Sequence, residues 1–398
     1  MALGMTIQHE KADQIAGILN EAEIDCWMVW VRETSQMLDP VLPLIYGGDL
    51  VWPSALMYTR QGERLAIVGN FDASGVPAGL FDHVIPYTEG ISDTLRGELA
   101  RIDPATIAIN ESRDDVAADG LSAGMKALLL DMLEGTPYAE RLVSAAPIVG
   151  RLRGRKTSEE LRRIQRAVTI TEQIFSELEE FLVVGQTERE IHRFVHQRMG
   201  VHGVGTAWQE DHNPAVDAGP NKAFGHSGPT EKRTKRGQLL HLDFGVQADA
   251  YCSDLQRMFF FGDPEEIPDQ VQRAFDAVRG AIQAAASEIR PGRLGHEIDA
   301  VAREYVTSRG YRAYQHALGH QIGRAAHDGG TLLGPLWERY GGSPRGSLEE
   351  GNVFTLELYV TTEHHGQVSL EEDVVVSASG CRFLSHPQQQ LISIRSEP

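Results

Sequence analysis

Cysteine is scarce. The 398 residues hold three, Cys26, Cys252 and Cys381, an odd number set far apart. A disulfide framework needs more of them at closer spacing, so a reducing compartment is expected. Long hydrophobic runs are also missing. No stretch reaches the ~20 apolar residues that cross a bilayer. The opening MALGMTIQHEKADQ lacks the apolar centre of a secretion signal, so the expected location is the cytoplasm. Positive charge is in deficit: 37 Lys and Arg stand against 56 Asp and Glu, a net charge of -19. Nucleic acids and anionic membranes both demand a basic surface, so neither is an expected partner. The short basic run EKRTKRG does not reverse this. The N-terminal third has no glycine-rich phosphate loop, and low-complexity tracts are absent.

What remains is an ordinary globular composition, 41% apolar and 23% charged, on a chain long enough for two cores. Over about the first 140 residues strands and helices alternate, which predicts an α/β domain. Residues 9–22 have helical spacing, and IDCWMVWV at 24–31 reads as a buried strand. WPSALMYTRQGERLAIVG at 52–69 reads as two strands about a turn at 61–63. HVIPY and TIAIN are further strands, and GLSAGMKALLLDML is a helix. Charge and glycine interrupt the pattern at 146–156, where a boundary is expected. A second domain over 155–398 then reads as α+β. Helices are predicted at 157–181, 187–200, 266–289 and 294–309. Strands are predicted at 238–246, 257–262, 352–361 and 367–377. Helix pairs and strand pairs recur in the same order, which permits an internal pseudo-repeat.

The chemistry concentrates in the second domain. Asp243 and Asp254 stand in or beside the apolar runs LLHLDFG and RMFFF, joined by the turn-like VQADAY. A hairpin-like return would bring the two carboxylates together across neighbouring strands. Two such acids in an apolar sheet repel each other and lose hydration, and a divalent cation between them removes the conflict. Three histidines, His316, His320 and His327, follow in YQHALGHQIGRAAHDGG, without the HExxH spacing of a zinc protease helix. Glu357 sits in the strand FTLELYV. The strand VSLEEDVVV carries Glu371, Glu372 and Asp373, and alternation alone does not say which of the three points inward. An oxygen-rich set with one imidazole suits manganese, cobalt or iron, with zinc admissible, better than copper. Two such ions about 3.5–4 Å apart can acidify a water and polarise a carbonyl.

At LDFG, YCSD, GHQIG, LELY and LEED the chain resembles the pita-bread metallopeptidases, the family of prolidase, aminopeptidase P and methionine aminopeptidase. The resemblance covers nearly the whole chain. It implies a creatinase/prolidase-like N-terminal α/β domain over 1–150 and a pita-bread catalytic domain over 155–398. It implies two divalent ions, manganese first among cobalt, zinc and iron, held by Asp243, Asp254, His320, Glu357 and Glu372. Asp243 and Glu372 would span both ions. It assigns substrate-side roles to His226, His327 and His316, and makes Glu357 the proton carrier to the leaving nitrogen. His226 and His327 would stabilise the tetrahedral oxyanion. The implied reaction is hydrolysis of Xaa-Pro dipeptides by a metal-activated water, in a homodimer. Three alternatives remain: an Xaa-Pro aminopeptidase acting on longer peptides, a hydrolase or lyase of small amino-acid derivatives, and a non-catalytic binding module. A dipeptidase must read a free carboxylate, for which Arg345 and Arg382 are the candidates. Five positions depart from the family pattern: Gln321, Asp328, Leu358 and Tyr359 after the first glutamate, and Leu370 two residues before the presumed last ligand.

Overall fold

The computed structural model describes residues 6–220 and 228–395. The chain folds as two units, Met1–Thr157 and Ser158–Pro398.

In the first unit six strands form one sheet in the order β4-β3-β2-β1-β5-β6. They are β1 (Cys26–Val31), β2 (Ser54–Thr59), β3 (Arg64–Gly69), β4 (His83–Tyr87), β5 (Ile107–Ile109) and β6 (Leu142–Ser144). Strand β1 pairs antiparallel with β2 and parallel with β5, and all six of its residues are buried. That explains why CWMVWV is a continuous apolar run. The helices are α1 (Ile7–Ala22), α2 (Leu42–Ile45), α3 (Ser92–Ile102), α4 (Ala123–Leu133) and α5 (Ala146–Gly154). Leu95 and Leu99 of α3 and Leu129 and Leu133 of α4 share a core with Met28, Trp30 and Ile67.

Three of these helices, α2, α3 and α5, are not evident in the sequence, and α2 is a single turn. Helix α3 buries only Leu95 and Leu99, a thin apolar stripe. Helix α5 occupies the stretch expected to be a boundary. Its Pro147 lies in the first turn, where a missing N–H costs nothing, and Ile148, Val149 and Leu152 are buried.

The second unit opens with the helix pair α6 (Ser158–Phe181) and α7 (Glu188–His202), and a second pair, α8 (Asp269–Glu288) and α9 (Gly295–Thr307), follows. Thr187 and Glu190 close a reciprocal cap at the start of α7. The strands are β7 (Gly205–Thr206), β8 (Ala215–Ala218), β9 (Leu239–Phe244), β10 (Val246–Ala248), β11 (Tyr251–Cys252), β12 (Leu255–Phe261), β13 (Val353–Thr361), β14 (Gln367–Ser377), β15 (Gly380–Phe383) and β16 (Ile392–Ile394). The main sheet runs β13-β14-β12-β9-β8, with β15 on β14 and β16 on β12. Strands β10 and β11 form the expected return between the two aspartates. Its turn residues Asp249 and Ala250 have φ of 50° and 63°, the backbone of a tight two-residue hairpin.

Helices pack on one face of the main sheet. Phe175 of α6 lies 4.4 Å from the ring of Phe244 and 6.5 Å from that of Phe259. Phe275, Val278 and Ile282 of α8 share a core with Leu356, Leu358, Val374 and Val376. Side chains alternate along a strand, so Asp243, Gln256 and Glu357 project from the opposite face.

Candidate metal centre

Strand register builds the site. Asp243 on β9 is the partner of Gln256 on β12, Gln256 of Glu371 on β14, and Glu371 of Glu357 on β13. Four polar side chains thus form one row across four adjacent strands. The Gln256 amide nitrogen lies 2.9 Å from Glu371 Oε2, 3.3 Å from Glu357 Oε2 and 3.5 Å from Asp243 Oδ2. Asp254 is two residues before Gln256, on the same face and diagonal to Asp243. Its N–H donates to Asp373 Oδ2 at 3.2 Å, while its Oδ1 is buried with no hydrogen-bond partner among the described residues.

His320 reaches this row from an irregular segment clamped along the edge of β13. Glu357 N donates to Leu318 O at 2.7 Å and Thr355 N to His320 O at 3.0 Å. Gly319 makes the close approach possible, because a Cβ there would stand 1.9 Å from Thr355 O. The His320 Nε2 atom lies 3.8 Å from Asp254 Oδ2 and 3.9 Å from Glu357 Oε1. Asp254, His320 and Glu371 each offer an atom within 4.8 Å of the others. The His327 ring sits edge-on to His320 at 4.3 Å. His316 is farther out, between Tyr314 at 5.3 Å and Tyr359 at 5.4 Å, with Nδ1 bonded to Ala317 O at 2.7 Å.

The electrostatics are those of anions gathered without enough cations. Burial, then the charges of Asp243, Asp373 and Glu357, push the Asp254 carboxyl well above its usual range. Burial, then the charges of Asp254, Glu357, Asp243 and Asp373, do likewise for Glu371. Desolvation and the Asp243 charge push Glu357 up to about 8. Burial and the neighbouring His327 push His320 down to about 3, so its ring is a neutral donor across the physiological range. Four carboxylates, one neutral imidazole and an orphaned buried oxygen fit divalent cations in charge and in donor type. They do not fit an empty apolar core.

One expected ligand is corrected. Glu372 points to the other face of β14. It forms a buried pair with Arg257, at 3.1 Å from each terminal nitrogen, and accepts from Gln388 N at 2.9 Å and Ser385 Oγ at 2.5 Å. Glu371 takes the place beside Asp243 and Glu357. Strand pairing decides this, because Glu357 opposes Glu371 and Leu356 opposes Glu372. Glu372 therefore cannot span two ions with Asp243. The position two residues before the inward glutamate is Ser369 rather than Leu370.

The other expected residues divide. Arg345 is exposed in a 3-10 turn, and among the described residues its side chain makes no hydrogen bond or ion pair with the cluster. Arg382 is an exposed residue of β15 whose Nη1 donates to Phe383 O at 3.4 Å. His226 lies outside the described residues. Gln256 is not among the residues expected from the sequence. Its signal was its place two residues after Asp254, a polar residue in the buried run LQRMFFF.

The sequence profile of metallopeptidase family M24 matches residues 162–378, which contain every member of this row and the histidine segment. The chain belongs to metallopeptidase family M24. An uncharacterized peptidase of Bacillus subtilis is 30% identical over 254 residues, covering 63% of this chain and 67% of that one. An Xaa-Pro dipeptidase of Pyrococcus horikoshii is 26% identical over 394 residues, 98% of this chain and all of that one. Among solved structures, an X-Pro aminopeptidase of Thermotoga maritima superposes with a TM-score of 0.70 at 24% identity, covering 96% and 99% of the two chains. This M24 chain is thus a peptidase with an N-terminal α/β domain and a C-terminal pita-bread domain, in a family dependent on paired metal ions.

Proposed function

We propose that Asp243, Asp254, His320, Glu357 and Glu371 hold two divalent ions, manganese first among the candidates, and that the enzyme hydrolyses Xaa-Pro dipeptides. The observation that carries this reading is the row Asp243–Gln256–Glu371–Glu357, onto which Asp254 and His320 converge. Divalent cations, when bound, supply an acidified water and a positive field for the scissile carbonyl. The chain's own residues do the rest. Glu357 is the acid best placed to carry a proton to the leaving nitrogen. Its side chain keeps 23% exposure, more than Asp254 at 8%, so it is the more open of the two to a substrate. His327, edge-on to His320, and His226 are the proposed donors to the developing oxyanion. His316 shapes the substrate side from its slot between Tyr314 and Tyr359.

Arg345 is the proposed reader of a dipeptide carboxylate. The homodimer and the cytoplasmic location inferred from sequence belong to the same reading; among the described residues no helix is long and apolar enough to cross a membrane. The test is product analysis after metal-loaded enzyme meets a panel of di- and tripeptides, with and without proline second. Cleavage confined to Xaa-Pro dipeptides supports the proposal. Equal or better cleavage of tripeptides moves the assignment to an aminopeptidase, and no cleavage of any peptide overturns it.

A further inference from the structure

Gln256 stands in the middle of the acidic row, and its amide is held on both sides. Its nitrogen faces oxygens of Glu371, Glu357 and Asp243 at 2.9, 3.3 and 3.5 Å. Those acceptors fix which way the amide points, because an oxygen turned toward three carboxylates would be repelled. Its Oε1 therefore faces away, and two groups meet it there. His241 Nε2 lies at 3.0 Å and Ser369 Oγ at 2.5 Å. The far side of the His241 ring bonds Asp217 Oδ2 through Nδ1 at 3.0 Å. Both His241 and Asp217 are nearly fully buried, at 3% and 1% of side-chain exposure.

These residues come from four strands, and each placement is set by the sheet. His241 is two residues before Asp243 on β9, so it shares that face one step along. Asp217 on β8 is its direct partner. Ser369 is two residues before Glu371 on β14. The result is a continuous line, carboxylate to imidazole to amide to three carboxylates. Hydrogen bonds in such a line polarise one another, and low surrounding polarity strengthens them. A buried amide with both ends satisfied has one orientation and little freedom.

We propose that Gln256 is a positioning residue for the metal pair: oriented by His241–Asp217 and Ser369, it holds Asp243, Glu357 and Glu371 at their mutual spacing before any ion arrives. It also offsets part of their repulsion without adding a charge that would compete with the cations. The inference rests on the ligand set proposed above. Groups that orient a ligand from outside the coordination sphere are worth about 10–100-fold in metal affinity.

The test compares Gln256→Met, which keeps the bulk and loses the donor, with Ser369→Ala, which removes one of the two groups orienting Oε1. Mn²⁺ affinity is measured by calorimetry with chelator competition. The Co²⁺ absorption spectrum of the loaded protein and the melting temperature of the metal-free protein are recorded beside it. For Gln256→Met the expected result is a fall in Mn²⁺ affinity of about 10–100-fold, with a changed Co²⁺ spectrum and a folded metal-free protein. Ser369→Ala should give a smaller loss in the same direction, and it carries the test alone if Gln256→Met does not fold. Unchanged affinity and spectrum in a folded variant overturn the proposal. Asp254→Asn is the control for the ligand set. If it still binds two ions normally, the ligand reading itself fails; if it loses them while Gln256→Met does not, only the positioning role fails.

Discussion

Replacing Glu371 and Glu372 separately by alanine should produce opposite phenotypes, although the two are neighbours in sequence. Glu372 satisfies the buried Arg257 with two bonds of 3.1 Å, and it is bonded by Ser385 and Gln388 as well. Glu372→Ala removes the closest counter-charge of that guanidinium on the helix-covered face, leaving it backbone carbonyls and Glu172 at 4.0 Å, beside the ring of Phe175 at 5.5 Å. Breaking a buried ion pair from one side costs about 3–5 kcal/mol. In a unit of this size that lowers the melting temperature by about 6–20 °C. Glu371 is the reverse case. Without metal its charge is opposed by burial and by Asp254, Glu357 and Asp243. Glu371→Ala removes that repulsion, and Gln256 keeps two of its three acceptors. The metal-free protein should therefore melt within a few degrees of the wild type, while metal loading and peptidase activity disappear together. Differential scanning calorimetry with and without chelator, alongside metal analysis after dialysis, reads both outcomes. If Glu372→Ala lost its metal with an unchanged melting temperature, and Glu371→Ala melted early but kept its ions, the face assignment of β14 would be wrong.

Further outcomes follow from the same site. Glu357 is raised to about 8, and Asp254 and Glu371 are raised as well, so the folded metal-free protein holds protons that the unfolded chain releases above about pH 4.5. The stability these groups lend is complete below that value and is lost as pH climbs toward 8. The metal-free melting temperature should fall across this window, and metal binding within it should release protons, measurable by calorimetry in buffers of different ionisation enthalpy. Gly319→Ala forces a Cβ to within 1.9 Å of Thr355 O, so the His320 segment must move away from β13. Metal affinity should drop at least about 10-fold in a competition assay. Burial pushes His316 down to about 4, and its ring packs between two tyrosines. His316→Phe should keep two bound ions and raise KM without a comparable loss of kcat. Arg345→Ala should raise KM for dipeptides while leaving C-terminally amidated substrates unaffected; equal effects on both would remove Arg345 as the carboxylate reader.

Much of this architecture was legible in the chain because its elements are strongly patterned. The runs CWMVWV and RMFFF, and the helices at 158–181 and 269–288, announce themselves by length and apolar period. Helix α5 did not, because Gly150 and Gly154 and its arginines mask a short buried stripe. The choice between Glu371 and Glu372 is not a local property, since three acids in a row defeat any alternation rule. It depends on which residue opposes Glu357 across the hairpin, and that is a long-range fact. Gln256 is hidden in the sequence for a different reason. An uncharged amide in an apolar strand gives no titratable signal, and its importance exists only through Asp243, Glu357 and Glu371 on the neighbouring strands.

The β13–β14 hairpin has a consequence for how the enzyme tolerates change. Deleting one residue from the connection at 362–366 would turn β14 over. Glu372 would then enter the cage, Glu371 would take the helix side, and Arg257 would meet a partner of the right charge at the wrong depth. Because both neighbours are glutamates, the inverted strand would still look chemically plausible at each position while failing as a whole. Insertions and deletions should therefore be far rarer in that five-residue connection than in other exposed turns of the protein, a pattern that a deep mutational scan under peptidase selection would expose directly.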